Sequence, residues 1–393
     1  MKIAFFMSTV LEQGGGLEKY LIETSRGMSQ LPNIEADVIT MDDNFTMKIA
    51  SLLKFYYFKK IDKNSILKEK ISSILSKLGK AKYIKCKNFK ELVEVFSRYD
   101  VIYSKNEILE AFIFKFFLKY KNVPTIIFGV HTPHFYPIVD SIHARLHNLL
   151  YRSKLYSFLV SGVKYFHVSN LQSQEILLEQ FPKKRVFKIS YLFNVDNFTK
   201  MANIYHTESL DRSKFNVLWL ARLTEQKGVS DLVEIINDLN TNSYNNCVVW
   251  NIAGDGDERN KIESIEMKWG NIRYFGHVRN DFVPSLLSQI DLFISTSKWE
   301  VSPFNIIEAQ AIGKPVLAYR IAGVVDIIEE GKTGIIVSNR KEFKDRLEEI
   351  INGHFKFNQE EIKEKLKEKF NSKKIFIELE EMFLSVIREN KHD

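Results

Sequence analysis

The chain of 393 residues is poor in the residues that mark several protein classes. It has only two cysteines, Cys86 and Cys247, which lie far apart and argue against a disulfide framework or a structural zinc site. Its 17 glycines and 8 prolines are too few for a collagen-like or low-complexity protein. No uncharged apolar run is long enough to cross a bilayer, and the first run breaks at Glu12, unlike a secretion signal. We therefore expect a globular cytoplasmic protein, at most peripheral on the inner face of a membrane.

Positive charge is concentrated in the first half of the chain. Residues 1–205 hold 30 Lys and Arg against 18 Asp and Glu, whereas residues 206–393 hold 26 against 31. Residues 47–90 alone contain 13 lysines, with Asp62 and Glu69 as the only acids. Such a segment suits an anionic membrane surface, a nucleic acid or a phosphorylated substrate. Because no nucleic-acid-binding motif is present, we do not expect a nucleic-acid partner.

An amphipathic helix is predicted over residues 61–79 of this lysine-rich segment. Its apolar stripe consists of Leu67, Ile71, Ile74 and Leu78, lysines cover the other faces, and Gly79 can cap its end. Together with the apolar residues 55–58, the pattern favours contact with an anionic membrane surface. The alternative is a helix that packs into the core with a solvated basic face.

Short apolar runs alternate with helical patterns along the whole chain. A strand, the glycines at 14–16 and a helix open the sequence, as in a doubly wound sheet. The strand-like runs are 3–10, 37–40, 100–104, 125–131 and 164–169 in the first half, and 215–221, 248–254, 272–276, 291–297, 315–319 and 334–337 in the second.

The alternation predicts an α/β protein with two Rossmann-like, doubly wound domains. The domains are expected at 1–205 and 206–370, linked by the polar stretch 202–213, with a helix over 371–393 that packs back on the first domain. Ligands of such sheets bind at the carboxyl ends of the strands, so we expect the two domains to face each other across a ligand cleft.

The strongest local signal lies in residues 295–318. A strand is expected to end near Ser297, and Ser302 and Pro303 then suit the N-cap and the first residue of a helix. The free N–H groups of such a helix start, near Phe304 and Asn305, form an anion site that suits phosphate.

Two carboxylates flank this helix start. Glu300 precedes it and Glu308 lies inside the helix, so both can point to one cleft and hold separate hydroxyl groups of one polar ligand. The alternative reading is an ordinary helix with an acidic flank.

The spacing from Glu300 to Glu308, followed by AxxxGKPV, resembles the signature of the retaining glycosyltransferases of family 4, which have the GT-B fold. Further segments resemble that family in the same order: GGGLEKY (14–20), FNVDNF (193–198), LARLTEQKG (220–228), AGDGDER (253–259), YFGHV (274–278) and IAGVVDIIEEGKTGIIV (321–337). The chain departs from the family pattern at Asn194, Ala221, Ala322 and Asp326.

The resemblance implies a site for a nucleotide-diphosphate sugar. Cations and backbone N–H groups would hold the diphosphate: Arg222, Lys227, Gly15, Gly16, Phe304 and Asn305. Glu308 would hold the ribose hydroxyls, and Glu300 would lie at the donor sugar. His131 would act from the first domain near the reacting sugar, with His134 as a second candidate.

The function implied by the resemblance is retaining transfer of a hexose or N-acetylhexosamine from a UDP- or GDP-sugar. The acceptor would be a lipid-linked or cell-envelope glycan at the cytoplasmic membrane face, with contact through residues 47–90. No cofactor and no metal are expected, because Asp255-Gly256-Asp257 reads as a turn. Neither Glu300 nor Glu308 is assigned as a nucleophile or acid.

Three alternatives remain open at this stage: transfer to a soluble acceptor such as a sugar phosphate, an inactive scaffold subunit, and an epimerase. A dehydrogenase fits poorly, because the glycine loop does not read GxGxxG.

Overall fold

The structure is a computed structural model that describes residues 1–8, 16–42, 77–120, 123–131, 134–136, 142–205, 207–242 and 244–390. The chain divides into two compact units. One comprises Met1–Leu192 with Ser372–Asp393, and the other comprises Phe193–Asn371. The chain thus changes unit after Leu192 and after Asn371, whereas the sequence suggested residues 205 and 370.

The first unit is built around seven parallel strands, β1 (Lys2–Met7), β2 (Glu35–Met41), β3 (Tyr83–Cys86), β4 (Val101–Lys105), β5 (Thr125–Gly129), β6 (Tyr165–Val168) and β7 (Arg185–Lys188). They form one sheet in the order β3-β2-β1-β4-β5-β6-β7. Its helices are α1 (Gly16–Met28), α2 (Phe89–Phe96), α3 (Ile108–Phe112), α4 (Ile142–Arg152), α5 (Lys154–Leu159), α6 (Leu171–Gln180) and α15 (Ser372–Asn390), with a π-helical segment at Ile113–Leu118.

Two strands of this sheet, β3 and β7, were not predicted from the sequence. Both lie at the edges of the sheet and have four residues each. A central strand of a parallel sheet is covered on both faces and reads as an apolar run, whereas an edge strand is partly solvated. In β7 only Val186 is buried, so the strand RVFK has no apolar run to detect.

The second unit contains six parallel strands, β8 (Phe215–Leu220), β9 (Val248–Ala253), β10 (Ile272–Tyr274), β11 (Leu292–Ser295), β12 (Val316–Tyr319) and β13 (Gly334–Val337), in the order β10-β9-β8-β11-β12-β13. Its helices are α7 (Val195–Met201), α8 (Val229–Thr241), α9 (Arg259–Lys268), α10 (Val283–Ser288), α11 (Phe304–Ala311), α12 (Ala322–Val325), α13 (Arg340–Ile351) and α14 (Gln359–Lys369), with 3₁₀ turns at Glu225–Lys227 and Tyr244–Asn246.

Strand order reverses once in each sheet. The first strand of each sheet pairs with the second on one side and the fourth on the other, so the switch lies between β1 and β4 and between β8 and β11. Loops that leave the carboxyl ends of these neighbouring strands diverge to opposite faces of the sheet and leave a crevice, where ligands of such sheets bind.

The polar stretch 202–213, expected as a linker, belongs to the second unit. The backbone N–H of Thr207 donates to Ser285 Oγ at 3.1 Å, and that of Leu210 donates to Gln289 Oε1 at 2.9 Å. These bonds satisfy the backbone of a segment whose composition alone suggested solvation.

The predicted helix 61–79 lies almost wholly outside the described residues. At its end, Leu78 is buried, and Gly79 has a φ of +62°, the left-handed conformation that suits a helix end. Among the helices that the structure describes, none has the length and apolar character needed to cross a membrane.

Helix α15 packs on the first unit through its apolar face. The ring of Phe383 lies 6.1 Å from that of Phe5 and 6.3 Å from that of Tyr103, measured between centroids. Tyr165 Oη donates to Glu389 Oε2 at 3.0 Å near the end of the helix. A segment distant in sequence therefore completes the core around β1 and β4.

We expect Phe383→Ala to lower the free energy of unfolding by about 3–5 kcal/mol, because it leaves a cavity against Phe5 and Tyr103. Chemical denaturation followed by circular dichroism measures the change. Ile377→Ala is the matched control, since this side chain of the same helix is 55% exposed. Equal losses in the two variants would contradict the packing role of Phe383.

Candidate functional site

The loops that leave β8 and β11 lie side by side at the switch of the second sheet. Leu292 and Phe293 of β11 pair with Val217 and Leu218 of β8. The loop after β8 carries Arg222 and Lys227, and the loop after β11 carries Glu300. The topology therefore brings these three predicted site residues to one end of one sheet.

Lys227 and Glu300 form an ion pair between Nζ and Oε1. Their side chains are only 13% and 11% exposed, and Ser297 Oγ donates to the same carboxylate oxygen at 3.2 Å. The resemblance implies that Lys227 binds the diphosphate and Glu300 the donor sugar. The structure shows that they also neutralise each other, and Ser297 is a partner that the sequence did not reveal.

The loop that carries Lys227 is fixed by its own backbone. Thr296 Oγ1 donates to the carbonyl of Lys227 at 2.9 Å and accepts from Trp219 Nε1 at 3.0 Å. Gly228 follows with a φ of +70°, and a Cβ there would lie 2.0 Å from the carbonyl oxygen of Thr296. Only glycine allows this close approach. Thr296 thus holds the loop in place, a role that needs the tertiary contact to be visible.

A second glycine supports the same loop from the end of β9. Gly254 has a φ of +136°, and a Cβ there would lie 1.7 Å from the carbonyl oxygen of Ala221. The next residues form a turn, in which the N–H of Arg259 donates to the carbonyl of Gly256 at 3.1 Å. In the part of the chain that the structure describes, no group of three or more His, Cys, Asp or Glu side chains is placed to hold a metal ion.

Arg222 is exposed, and within the described ranges its guanidinium has no hydrogen-bond or ion-pair partner. Its backbone is ordered by the turn in which the N–H of Thr224 donates to the carbonyl of Arg222 at 2.9 Å. The position thus offers a fixed backbone and an unpaired planar cation, which can form a bidentate contact with a phosphate or carboxylate.

The start of α11 differs by one residue from the sequence prediction. The helix begins at Phe304 with Pro303 as its N-cap, whereas Ser302 and Pro303 had been expected as N-cap and first residue. Pro303 has an extended ψ of +92°, so it precedes the first helical residue. Its N-cap side chain makes no hydrogen bond, and among the described residues the N–H groups of Phe304 and Asn305 have no acceptor.

Asn305 anchors this helix start to the sheet. Its Nδ2 donates to the carbonyl of Leu220, the last residue of β8, at 3.0 Å. The half-buried Glu308 follows three residues later, on the same face of α11 as Asn305. The start of α11 and the loop after β8 are thereby tied to one strand end.

In the first unit, His131 lies two residues after β5 and belongs to a hydrogen-bonded chain of buried groups. Tyr103 Oη lies 3.1 Å from His131 Nε2 and 2.7 Å from His167 Nδ1, and His167 Nε2 lies 2.9 Å from the carbonyl oxygen of Ile189. A Cβ at Gly129 would lie 2.1 Å from Tyr103 Oη and 2.7 Å from His131 Nε2, so the chain of bonds needs glycine there.

The order of these hydrogen bonds fixes which atom donates the proton in each of them. The carbonyl of Ile189 can only accept, so His167 donates from Nε2 and accepts from Tyr103 at Nδ1. The single hydroxyl proton of Tyr103 is then used, and its oxygen accepts from His131 Nε2. His131 therefore carries its proton on Nε2 and keeps a lone pair on Nδ1.

Burial keeps these groups neutral. It lowers the pKa of His131 well below its ordinary value, an effect to which His167 and Lys105 add. Burial also lowers the pKa of His167 to about 4, although the bond to Ile189 acts in the opposite direction. It raises the pKa of Tyr103 well above its ordinary value. Two imidazoles and a phenol thus remain uncharged near pH 7.

His134, the second histidine candidate, is buried among aromatic rings. Its Nε2 donates to Gln180 Oε1 at 2.6 Å, and its ring centroid lies 5.2 Å from that of Tyr151. Burial lowers its pKa to about 4. Of the predicted glycine loop, Gly16 is the first residue of α1, and Gly15 lies outside the described residues.

Comparison with known proteins identifies relatives of this arrangement. Residues 202–371 match the family model of the glycosyl transferases group 1. An alpha-D-kanosaminyltransferase of Streptomyces kanamyceticus is 29% identical over 182 residues, which are 44% of this chain and 46% of that protein. The capsular polysaccharide biosynthesis glycosyltransferase CapM of Staphylococcus aureus is 25% identical over 209 residues, or 51% and 53% of the two chains. The chain thus spans about half the length of these curated relatives.

The whole fold also has known counterparts. The crystal structure of HepE from Anabaena, in complex with UDP and glucose, has a TM-score of 0.66 and 16% identity, and covers 98% of this chain and 100% of its own. The prediction of the GT-B fold, with two parallel, doubly wound α/β domains, is therefore confirmed.

We expect Lys227→Met to lower the free energy of unfolding by about 2–3 kcal/mol, because it leaves the carboxylate of Glu300 buried without its cation. The double variant Lys227→Met with Glu300→Gln is expected to lose less than the sum of the two single variants. Lys298→Met is the control, because its partner Glu225 is 65% exposed and an exposed pair contributes about 1 kcal/mol or less. Additive losses would contradict the coupling.

The free energy of unfolding is also expected to decrease as the pH is lowered. The pKa values of His134 and His167 are about 4 in the fold, whereas a histidine in an unfolded chain has a pKa of about 6.5. The unfolded chain therefore binds more protons between these values, and stability present above pH 6.5 is lost as the pH falls towards 4. Each histidine is expected to lower the free energy of unfolding by about 3 kcal/mol between neutral pH and pH 4. Denaturation midpoints from pH 7 to 4 measure this, and His134→Gln should reduce the slope. The exposed control His354→Gln should not, and equal slopes in the two variants would contradict the assignment.

Proposed function

We propose that the chain transfers a sugar from a nucleotide-diphosphate donor to an acceptor, with retention of anomeric configuration, because residues 202–371 match the family model of the glycosyl transferases group 1. One observation carries the proposal. The carboxylate of Glu300 lies in contact with Lys227, in a loop pair that also presents the unpaired cation Arg222, at the switch of the second sheet.

The chemistry of the donor requires cations at this point. When the bond between the sugar and the diphosphate breaks, negative charge builds on the leaving phosphate, and fixed positive groups lower the barrier. Arg222 supplies a bidentate contact. Lys227 has three N–H donors, so it can bind a phosphate oxygen while it keeps its bond to Glu300. The N–H groups of Phe304 and Asn305 complete the set of donors to the diphosphate.

The two carboxylates have separate roles in the proposal. Glu308 accepts hydrogen bonds from the ribose hydroxyls. Glu300, whose Oε1 is held by Lys227 and Ser297, uses its other oxygen to accept from a hydroxyl of the donor sugar.

His131 contributes a neutral acceptor from the first unit. Its Nδ1 lone pair, fixed by the bond from Nε2 to Tyr103, accepts a hydrogen bond from a sugar hydroxyl. In the reaction the acceptor oxygen bonds to the anomeric carbon, and the bond to the phosphate breaks. The acceptor proton passes to the leaving phosphate, so no protein nucleophile and no metal are required.

The relatives support a choice of substrates. HepE is described in complex with UDP and glucose, and CapM is named for capsular polysaccharide biosynthesis. We therefore infer transfer of a hexose or N-acetylhexosamine from a UDP- or GDP-sugar to a lipid-linked or cell-envelope glycan at the cytoplasmic membrane face. Transfer to a soluble acceptor such as a sugar phosphate is the second candidate. The unpaired cation Arg222 beside Lys227 and Glu300 argues against an inactive scaffold, which would need no site for an anion.

Calorimetric titration with UDP-, GDP- and ADP-sugars, in the presence of a chelator, tests the donor site. We expect saturable binding of one nucleotide class. Arg222→Ala should weaken it by roughly 10- to 150-fold through the loss of charge-assisted hydrogen bonds. Because Arg222 is exposed, the variant should keep its fold, which circular dichroism checks.

The control is Arg212→Ala, which removes another exposed arginine of the same unit and should leave donor affinity unchanged. If no nucleotide sugar binds to the folded protein, the proposal is wrong and an inactive scaffold subunit becomes the better interpretation. Binding that survives Arg222→Ala would remove this residue from the donor site.

A further inference from the structure

Exposed apolar side chains are concentrated on one part of the first unit. The structure records twelve large apolar side chains that are exposed among the described residues, and six of them lie between residues 116 and 158. These six side chains are Phe116, Phe117, Leu146, Leu149, Leu155 and Phe158. Together with the cations around them, they form what we call the apolar-basic face.

Ring contacts join the elements that carry these side chains. Phe116 of the π-helical segment lies 6.1 Å from Phe158 of α5, measured between ring centroids. Lys115 Nζ lies 4.2 Å from the centroid of the Phe158 ring and donates to Ser161 Oγ at 2.8 Å. The π-helical segment and α5 therefore share a surface on which an aromatic ring and an ammonium group are in contact.

The exposed leucines lie on the helices α4 and α5. Only Ser153 separates them, so they follow each other directly along the chain. Leu146 and Leu149 are three residues apart in α4, and Leu155 and Phe158 are three residues apart in α5, so each pair lies on one helix face. Leu149, at 70%, is the most exposed of the six side chains.

Basic residues far outnumber acids in the stretch of sequence that carries these side chains. Residues 111–164 contain a single acid, Asp140, and seven basic residues: Lys115, Lys119, Lys121, Arg145, Arg152, Lys154 and Lys164. Exposed rings and leucines interleaved with lysine and arginine are typical of a surface that lies on an anionic bilayer. The apolar groups enter the interface, and the cations contact lipid phosphates.

We infer that the apolar-basic face docks on an anionic lipid bilayer. The complementary charge favours a bilayer over a neutral apolar partner, and the leucines favour it over a nucleic acid. The inference draws its meaning from the proposed transfer to a membrane-linked acceptor, but the docking itself does not depend on donor binding. It also differs from the membrane contact expected for residues 47–90, because it is formed by other elements of the first unit, the π-helical segment, α4 and α5.

Sedimentation with lipid vesicles tests the inference on the full chain. We expect binding to vesicles of phosphatidylglycerol and phosphatidylcholine and at least tenfold weaker binding to phosphatidylcholine alone. Lys154→Glu with Arg145→Glu should weaken binding to the anionic vesicles by about tenfold or more, since each cation near such a surface contributes about fivefold. Leu149→Ser with Phe158→Ser should also weaken binding by at least tenfold.

Matched controls use other exposed positions of the same type. Lys373→Glu and Ile377→Ser lie on α15 of the same unit and should leave vesicle binding unchanged, and circular dichroism checks that all variants are folded. A wild-type chain that does not bind anionic vesicles would overturn the inference. So would binding that is lost only when the lysines of 47–76 are replaced, or a dimer that dissociates in Leu149→Ser with Phe158→Ser while vesicle binding is unchanged. Loss of donor binding with intact vesicle binding would reject the proposed function and leave this inference standing.

Discussion

Parallel strand pairing is the constraint on which the rest of this structure depends. Each strand of both sheets must be reached by a crossover, so the carboxyl ends of all strands of a sheet point the same way. The loops that follow them therefore collect residues that are far apart in sequence, as Lys227 and Glu300 show. The glycines at 228 and 254 then set the distance at which the neighbouring loops meet, because their missing side chains let backbone groups approach closely.

The two units hold their polar residues in different ways. In the second unit, a little-exposed cation and carboxylate satisfy each other, and one hydroxyl adds a hydrogen bond. In the first unit, neutral groups pass hydrogen bonds from His131 through Tyr103 and His167 to a backbone carbonyl. An ion pair tolerates a ligand of changing charge, whereas a neutral chain of bonds fixes which nitrogen of an imidazole carries its proton.

The sequence was sufficient to predict the central strands and the residues of the β8 and β11 loops, because both carry local signals. Buried strands read as apolar runs, and the spacing of Glu300 and Glu308 is a linear pattern. It was insufficient for β3 and β7, whose four residues include charged side chains and form no apolar run, and for the N-cap of α11, where a one-residue shift depends on the ψ of Pro303. The roles of Thr296, Ser297 and Tyr103 could not be predicted, because each depends on a contact with a residue distant in sequence or on another strand.

Helix α15 gives the chain an order of assembly. The second unit is continuous in sequence, whereas the first is completed only by residues that follow it. During synthesis from the amino terminus, the ribosome therefore releases every residue of the second unit before the helix that covers Phe5 and Tyr103 has been made. Until then, the half-finished sheet exposes that apolar surface, and a nascent chain stalled near residue 371 would be a substrate for chaperones.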